Sequence, residues 1–170
     1  MTDVKNHPLF SEFENNKPEN FNKQINDIPK DEDLFSRFDR ERLEWTEKIE
    51  KLSRRLKDID EIAILQTEVY SERQHAVEYY HYLMTLLANK NREYRKKYKE
   101  RFEFYSNSYD YRVKDDVKST FIANDLSEIY SIKESLDNHM KFMDKTIGTI
   151  DNIIYGVKHR ISLEEYKRRL

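Results

Sequence analysis

The residues best suited to chemistry lie in one stretch, from Asn89 to Asn107. The stretch has seven basic residues, three acidic residues and five aromatic residues, and it contains no proline or glycine. A helix is therefore expected. On a helix, spacings of 4, 4 and 3 align Tyr94, Tyr98, Phe102 and Tyr105 in one stripe with cations beside it. Rings flanked by cations suit a groove for single-stranded nucleic acid.

A solvated basic helix whose tyrosines pack on a neighbouring element explains the same composition, since a run of charge often marks an exposed face. Both interpretations stay open on composition alone. The candidate nucleic-acid-binding residues are Arg92, Arg95, Lys96, Lys97, Tyr98, Lys99, Arg101 and Tyr105.

The composition of the whole chain favours long helices. Of 170 residues, 38% are charged and 37% are apolar, with two glycines and three prolines; this is typical of coiled-coil-like helical packing. The absence of cysteine excludes a disulfide framework and thiolate chemistry. No apolar run approaches the ~18 residues that span a bilayer, and the start lacks a signal-peptide pattern. We therefore expect a cytoplasmic protein without a membrane partner.

Two regions differ in character. Residues 1–33 contain six asparagines, three prolines and eight acids against four lysines, without a sustained apolar period. Such a segment buries too little apolar surface to offset its ordering entropy, so an acidic, disordered tail is predicted. Residues 34–170 are predicted to form one mainly α domain, which contains the basic stretch and the apolar seams described below.

Apolar spacing predicts the helices of this domain. A heptad pattern runs from Phe38 to Ala63 after a group of acids that suits a helix start. A D-x-x-E pattern at Asp58 and Glu61 can restart the helix as a capping box. The second helix is predicted from about residue 62 to residue 105.

The segment 106–124 breaks the pattern, and a short helix and a short strand or irregular segment fit it equally. Asp125 and Glu128 form another D-x-x-E start for the last long helix. Ser162 and Glu165 suggest a separate final helix over 163–170.

The last long helix carries the most regular apolar seam. Its steps alternate 4 and 3 from Leu136 to Ile161, more than one neighbouring helix demands. A homo-oligomer interface is therefore predicted. Gly148 and Gly156 lie inside the seam and mark either kinks or close helix contact. The candidate oligomerisation residues are Leu136, Met140, Met143, Ile147, Ile150, Ile154 and Val157.

Catalytic and metal-binding patterns are few. Glu-x-x-His occurs at Glu72/His75 and at Glu78/His81, a pair that di-iron bundles use on two different helices. Both pairs lie on one predicted helix, roughly 120° apart, so surface histidines are favoured over a metal site. Phosphate-binding loops, nucleophile elbows and zinc spacings are absent from the sequence. We expect a protein that binds or scaffolds, without enzymatic activity, metal or cofactor.

A family resemblance adds to this interpretation. The segment Tyr98–Ser106 resembles Leu-Lys-Ala-Arg-Leu-Asp-Tyr-Tyr-Ser of the UvsY recombination mediators of T4-like phages. In the same order, Val117–Ser119 is similar to the family's Met/Val-Lys-Ser/Thr, and Gly148–Ile153 to its Gly-Ala-Leu-Asp-Ala-Ile. The resemblance covers roughly residues 50–170. It departs at Tyr98 and Phe102, where the family has leucine, and it does not explain the N-terminal residues.

The resemblance implies a small, ring-forming homo-oligomer that binds single-stranded DNA. It also implies contacts with a RecA-like recombinase and with a single-stranded-DNA-binding protein. A mediator of this family helps the recombinase to displace the single-stranded-DNA-binding protein. The family's DNA-contacting Lys-x-Arg motif falls on Lys99 and Arg101. A phage origin implies the host cytoplasm. The alternative is a coiled-coil scaffold or assembly adaptor without nucleic-acid binding, which explains the apolar seams equally well and this basic cluster less well.

Overall fold

The computed structural model describes residues 33–107 and 114–169. Within these ranges the fold is mainly α, as predicted, with four helices and no strand. They are α1 (Leu34–Arg55), α2 (Ile62–Asn107), α3 (Asp115–Asp125) and α4 (Ser127–Arg168). The predicted disordered tail lies outside the described residues except for Asp33. Contacts divide the chain into Met1–Arg37 and Phe38–Leu170, and the bundle described below belongs to the second unit.

Asp33 begins α1. Its Oδ1 accepts hydrogen bonds from the backbone N–H groups of Phe35 (2.8 Å) and Ser36 (3.0 Å), and its Oδ2 accepts one from the Ser36 hydroxyl (2.7 Å). These bonds, chiefly the one from the Ser36 hydroxyl, hold the pKa of Asp33 below its ordinary value. The carboxylate therefore caps otherwise unpaired donors, and the expected acid at this helix start is confirmed.

The helices α1 and α2 form an antiparallel pair. Lys48 Nζ lies 2.9 Å from Glu72 Oε2, while Glu41, seven residues earlier on α1, accepts a hydrogen bond from Tyr79, seven residues later on α2. The turn between them is fixed by Asp58, whose Oδ1 accepts the N–H of Asp60 (3.0 Å). The heptad pattern of α1 therefore continues only to Arg55, and α2 restarts at Ile62, close to the predicted position.

The helices α2 and α4 also run antiparallel. Arg73 Nε lies 2.6 Å from Asp151 Oδ1, and nearer the other end Lys133 Nζ lies 4.2 Å from the centre of the Tyr94 ring. Because α1 and α4 each pack against α2, they are parallel to one another. The result is a three-helix bundle, extended at one end by α3. Its buried apolar residues are Phe38, Leu52, Leu65, Val69, Ala76, Leu83, Ile122, Leu126, Ile129, Leu136, Met143, Ile150, Ile153, Ile154 and Val157.

The apolar seam of α4 is covered within the chain. Five of its seven predicted interface residues are at most 7% exposed, and the other two are half-buried. The inference that this seam exceeds the needs of one chain is wrong, because α1 and α2 already cover it. Oligomerisation itself stays a prediction. The buried five are Leu136, Met143, Ile150, Ile154 and Val157, and the half-buried two are Met140 and Ile147.

Local start signals were less reliable than periodicity. The described part of 106–124 contains the helix α3, so the strand alternative is wrong there. The capping box expected at Asp125 and Glu128 does not form, because α4 begins at Ser127 after Leu126 without a side-chain cap. The separate final helix is also wrong, since α4 continues without interruption to Arg168.

The two glycines of α4 differ in their surroundings. A Cβ at Gly156 would lie 3.3 Å from Cδ1 of Leu56, whereas a Cβ at Gly148 would meet no atom within 4 Å. Close helix contact, one of the two predicted roles, therefore applies to Gly156.

A buried polar group that the sequence did not reveal lies among α1, α2 and α4. The His139 side chain is fully buried, and its Nε2 lies 3.0 Å from Glu41 Oε2. Its ring stacks on Phe38 with centroids 4.2 Å apart. Tyr79 donates a hydrogen bond to the same carboxylate. This network joins three helices and gives Nε2 of the buried His139 ring the hydrogen-bond partner that a buried polar atom needs.

Candidate nucleic-acid interface

The basic stretch occupies the end of α2 that lies beyond α1. Polar contacts of α1 with α2 include those made by Glu68, Glu72 and Tyr79. Farther along, Tyr94 and Tyr105 pack against a small core contributed by α3, α4 and the residue between them. One side of the basic stretch is thus covered and the rest faces solvent. The small core consists of Ile122, Leu126 and Ile129.

Four of the predicted cations are exposed to solvent, and two of them form only long ion pairs within α2. The side chains of Lys96 and Lys99 are each 80% exposed, and their nearest carboxylates lie 4.0 and 3.8 Å away. Arg92 and Arg95 are exposed and form no ion pair within the described residues. At roughly 100° per residue, these four side chains spread over the side of α2 that points away from α4. They form a surface to which phosphate groups are attracted.

Lys97, by contrast, is held by a carboxylate of its own helix. Its Nζ lies 3.1 Å from Glu93 Oε1, and Lys90 Nζ lies 2.8 Å from Oε2 of the same residue. The hydrogen bond from Lys90, followed by that from Lys97, keeps the pKa of Glu93 below its ordinary value. The Glu93 carboxylate therefore offsets charge that the sequence assigned to nucleic-acid binding.

Arg101 and Tyr105 are held at the junction of α3 and α4. Arg101 Nε lies 3.3 Å from Asp125 Oδ2, and the Tyr105 hydroxyl donates a hydrogen bond of 2.9 Å to the same oxygen. A cleft of about 420 Å³ beside them is lined partly by Glu100 and Glu128. This side of α2 therefore carries mixed charge. The contacts of Asp125 with Arg101 and Tyr105 also explain why it does not form the expected capping box.

The aromatic stripe divides into packed and exposed rings. Tyr98 is 40% exposed and Phe102 is 46% exposed, whereas Tyr94 and Tyr105 are half-buried. The Tyr94 and Tyr98 ring centroids lie 6.2 Å apart. We name Tyr94, Tyr98 and Phe102 the aromatic ridge. Around the circumference of α2, this ridge begins at the α4-facing side, and Arg95 and Lys99 lie beyond it.

Two residues of α4 join this side of α2, and the sequence analysis missed both. Lys133 Nζ lies 4.2 Å from the centre of the Tyr94 ring and 6.0 Å from that of Tyr130. Tyr130 is 56% exposed. Nothing in the local sequence points to them, because only the register of α2 against α4 brings Lys133 to the ridge.

The arrangement suits binding of an anionic polymer with stacking bases. Among the described residues, no three histidine, aspartate or glutamate side chains converge to hold a metal ion. Of the two Glu-x-x-His pairs, Glu72 is engaged by Lys48 at 2.9 Å, and His75 Nδ1 lies 3.8 Å from its Oε2. None of the described helices is sufficiently long and apolar to cross a bilayer.

No protein-family model, curated protein or solved structure matches this chain. The fold and the site define a mainly α bundle whose longest helix bears an exposed, basic and aromatic surface. The resemblance to the UvsY mediators therefore rests on the residues quoted above, notably the segment around Lys99 and Arg101.

Proposed function

We propose that this protein binds single-stranded DNA through the exposed side of α2 and acts as a recombination mediator. In that role it helps to load a RecA-like recombinase while displacing the single-stranded-DNA-binding protein. Its activity is binding and presentation of the strand, without catalysis. It acts in the cytoplasm, that of the host if the protein belongs to a phage.

One observation carries the binding step: four exposed cations lie beside two exposed rings on a single helix. Arg92, Arg95, Lys96 and Lys99 can neutralise backbone phosphates, and each phosphate contact releases counterions. Exposed rings stack on bases without regard to sequence, as coating of arbitrary strands requires. Duplex DNA keeps its bases stacked inside, so the rings favour the single strand.

The mediator role is supported by the resemblance to the UvsY family. The resemblance assigns DNA contact to Lys99 and Arg101. Lys99 is available for it, whereas Arg101 is engaged by Asp125. A homo-oligomeric ring belongs to the proposal as well, since several weak sites on one strand give useful avidity. Its interface must use surfaces other than the buried part of the α4 seam.

Fluorescence anisotropy with a labelled oligothymidylate of ~30 nucleotides tests the binding step. Changing Lys96 and Lys99 to alanine should reduce the slope of log K against log salt by about 1.4 per engaged protomer, because each single-strand phosphate contact contributes about 0.7. The matched control is Lys51→Ala with Arg54→Ala. It removes two exposed cations at the same spacing from α1 and should change the slope little.

Equal losses in the two double variants would mean that binding is diffuse and has no site on α2. Absence of any strand binding by the unaltered protein at low salt would leave the scaffold or adaptor hypothesis in its place. Light scattering with and without the oligonucleotide measures the mass of the assembly in the same samples. Displacement is tested separately by following a labelled single-stranded-DNA-binding protein during recombinase loading.

A further inference from the structure

We infer that α4 supplies part of the strand path, through Tyr130 and Lys133, and that the strand follows the flank of α2 that bears Arg95 and Lys99, away from the flank where Arg101 meets Asp125. This inference rests on the proposed function and specifies its geometry. The path, which we call the groove, runs along the aromatic ridge, from the α4-facing side of α2 toward the side that points away from α4. Lys133 borders it on one side, and Arg95 with Lys99 on the other.

The charges of this groove complement a polynucleotide. Lys133 contacts ring faces and forms no ion pair within the described residues, so its N–H donors can reach an anion. Arg95 and Lys99 lie across the ridge and are also exposed. Two borders of positive charge with rings between them match a chain that has phosphates along its backbone and bases that stack.

The rings of the groove come from two helices. Tyr98 and Phe102 are exposed on α2, and Tyr130 is exposed on α4 beyond Lys133. Successive ridge residues are four apart along α2, a rise of about 6 Å each. Bases can therefore meet rings at several points along the groove while phosphates meet cations at its borders.

The flank of α2 beside Asp125 is less suited to the strand. There Arg101 pairs with Asp125, and the cleft beside it also contains the carboxylates of Glu100 and Glu128. An entering phosphate would meet these carboxylates at short range, and like charges repel. Arg101 is accordingly a positioning residue at the junction of α3 and α4, while the strand contacts lie on the ridge side.

The test compares two Tyr–Lys pairs of α4 in the full chain. Tyr130 and Lys133 are three residues apart, as are Tyr155 and Lys158, whose Nζ lies 5.9 Å from the Tyr155 ring. The second pair lies about 37 Å farther along the helix. Changing both residues of either pair to alanine removes one tyrosine ring and one lysine charge, so the two double variants differ only in the position of the loss along α4.

Loss of Tyr130 and Lys133 should weaken oligothymidylate binding about twentyfold at ~0.15 M salt. Of this, about fourfold comes from one phosphate contact and about fivefold or more from one stacked base. The salt slope should fall by about 0.7 per engaged protomer, and Lys133→Arg should retain it. Loss of Tyr155 and Lys158 should change both values little.

Photo-cross-linking of the unaltered protein to oligothymidylate gives an independent readout. Attachment should map to Tyr98 and Tyr130. Cross-links confined to Phe104, on the Arg101 side, would overturn the inference, as would equal effects of the two pair variants. If the unaltered protein binds the strand and the Tyr130/Lys133 variant keeps full affinity, this inference fails alone. If the unaltered protein does not bind, the proposed function fails with it.

Discussion

Lys99→Ala and Arg101→Ala should have different effects, although each removes one positive charge from the same turn of α2. Lys99 is 80% exposed, with its nearest carboxylate 3.8 Å away. Arg101 is half-exposed and lies 3.3 Å from Asp125, which itself binds the Tyr105 hydroxyl. Lys99 is thus available to a phosphate, whereas Arg101 is occupied by the protein.

The magnitude for Lys99 follows from counterion release. Each phosphate contact with a single strand multiplies the association constant by roughly the molar salt concentration raised to the power −0.7. Its loss should weaken binding about fourfold at ~0.15 M salt and about eightfold at ~0.05 M, per engaged protomer. The melting temperature should be almost unchanged, because an exposed lysine with a distant partner contributes little to stability.

The magnitude for Arg101 follows from its ion pair. The Arg101 side chain is 50% exposed and that of Asp125 is 29% exposed, so the pair is partly screened and contributes about 0.2–1 kcal/mol. For a chain of this length that corresponds to a fall in melting temperature of at most about 4 °C. The salt slope should stay close to that of the unaltered protein.

Anisotropy titrations at four or more salt concentrations measure the slopes, and circular dichroism melts measure stability. The two variants serve as controls for each other, since their net charge is identical. A larger loss of slope in Arg101→Ala than in Lys99→Ala would refute the reasoning and restore the assignment that the resemblance implies. Asp125→Asn provides a further check, because it should lower the melting temperature without reducing the salt slope.

Three further outcomes are expected. Glu93→Gln should leave the salt slope of strand binding little changed, because the two lysines that it releases lie on the Arg101 flank of α2, away from the strand path. Since the pKa of Glu93 is lowered, its contribution to stability is complete above about pH 4.5 and vanishes as the pH falls through the lowered pKa, so melts of this variant and the unaltered protein should converge in acid. Ile150→Asp should unfold the bundle by burying an unpaired charge at a cost of several kcal/mol, whereas Ile147→Asp, at a half-buried position, should be milder in circular dichroism melts. Glu41→Ala should lower the melting temperature by several degrees, because the buried His139 loses its partner at a cost of about 1–3 kcal/mol; Glu41→Gln should recover part of the loss.

The sequence by itself determined the class of fold and the extent of the longest helix. An unbroken apolar period predicted α2 from about residue 62 to residue 105, and the observed helix is Ile62–Asn107. Periodicity succeeds because burial of one face stabilises a helix along its whole length. Capping patterns failed at Asp125 and at Ser162 because a short polar side chain can choose other partners; Asp125 binds Tyr105 instead.

Only the tertiary structure decided what covers each face. A heptad seam indicates that a helix packs against another helix, but it does not indicate whether that second helix belongs to the same chain. In α4 the partner is intramolecular, which removed the argument for an interface at Ile150. The same limit applies to charge. Composition could not distinguish Arg101, which pairs closely with Asp125, from the more exposed Lys99. It also could not predict that Lys133 reaches the Tyr94 ring, because the contacts of Arg101 and Lys133 depend on the register of helices far apart in sequence.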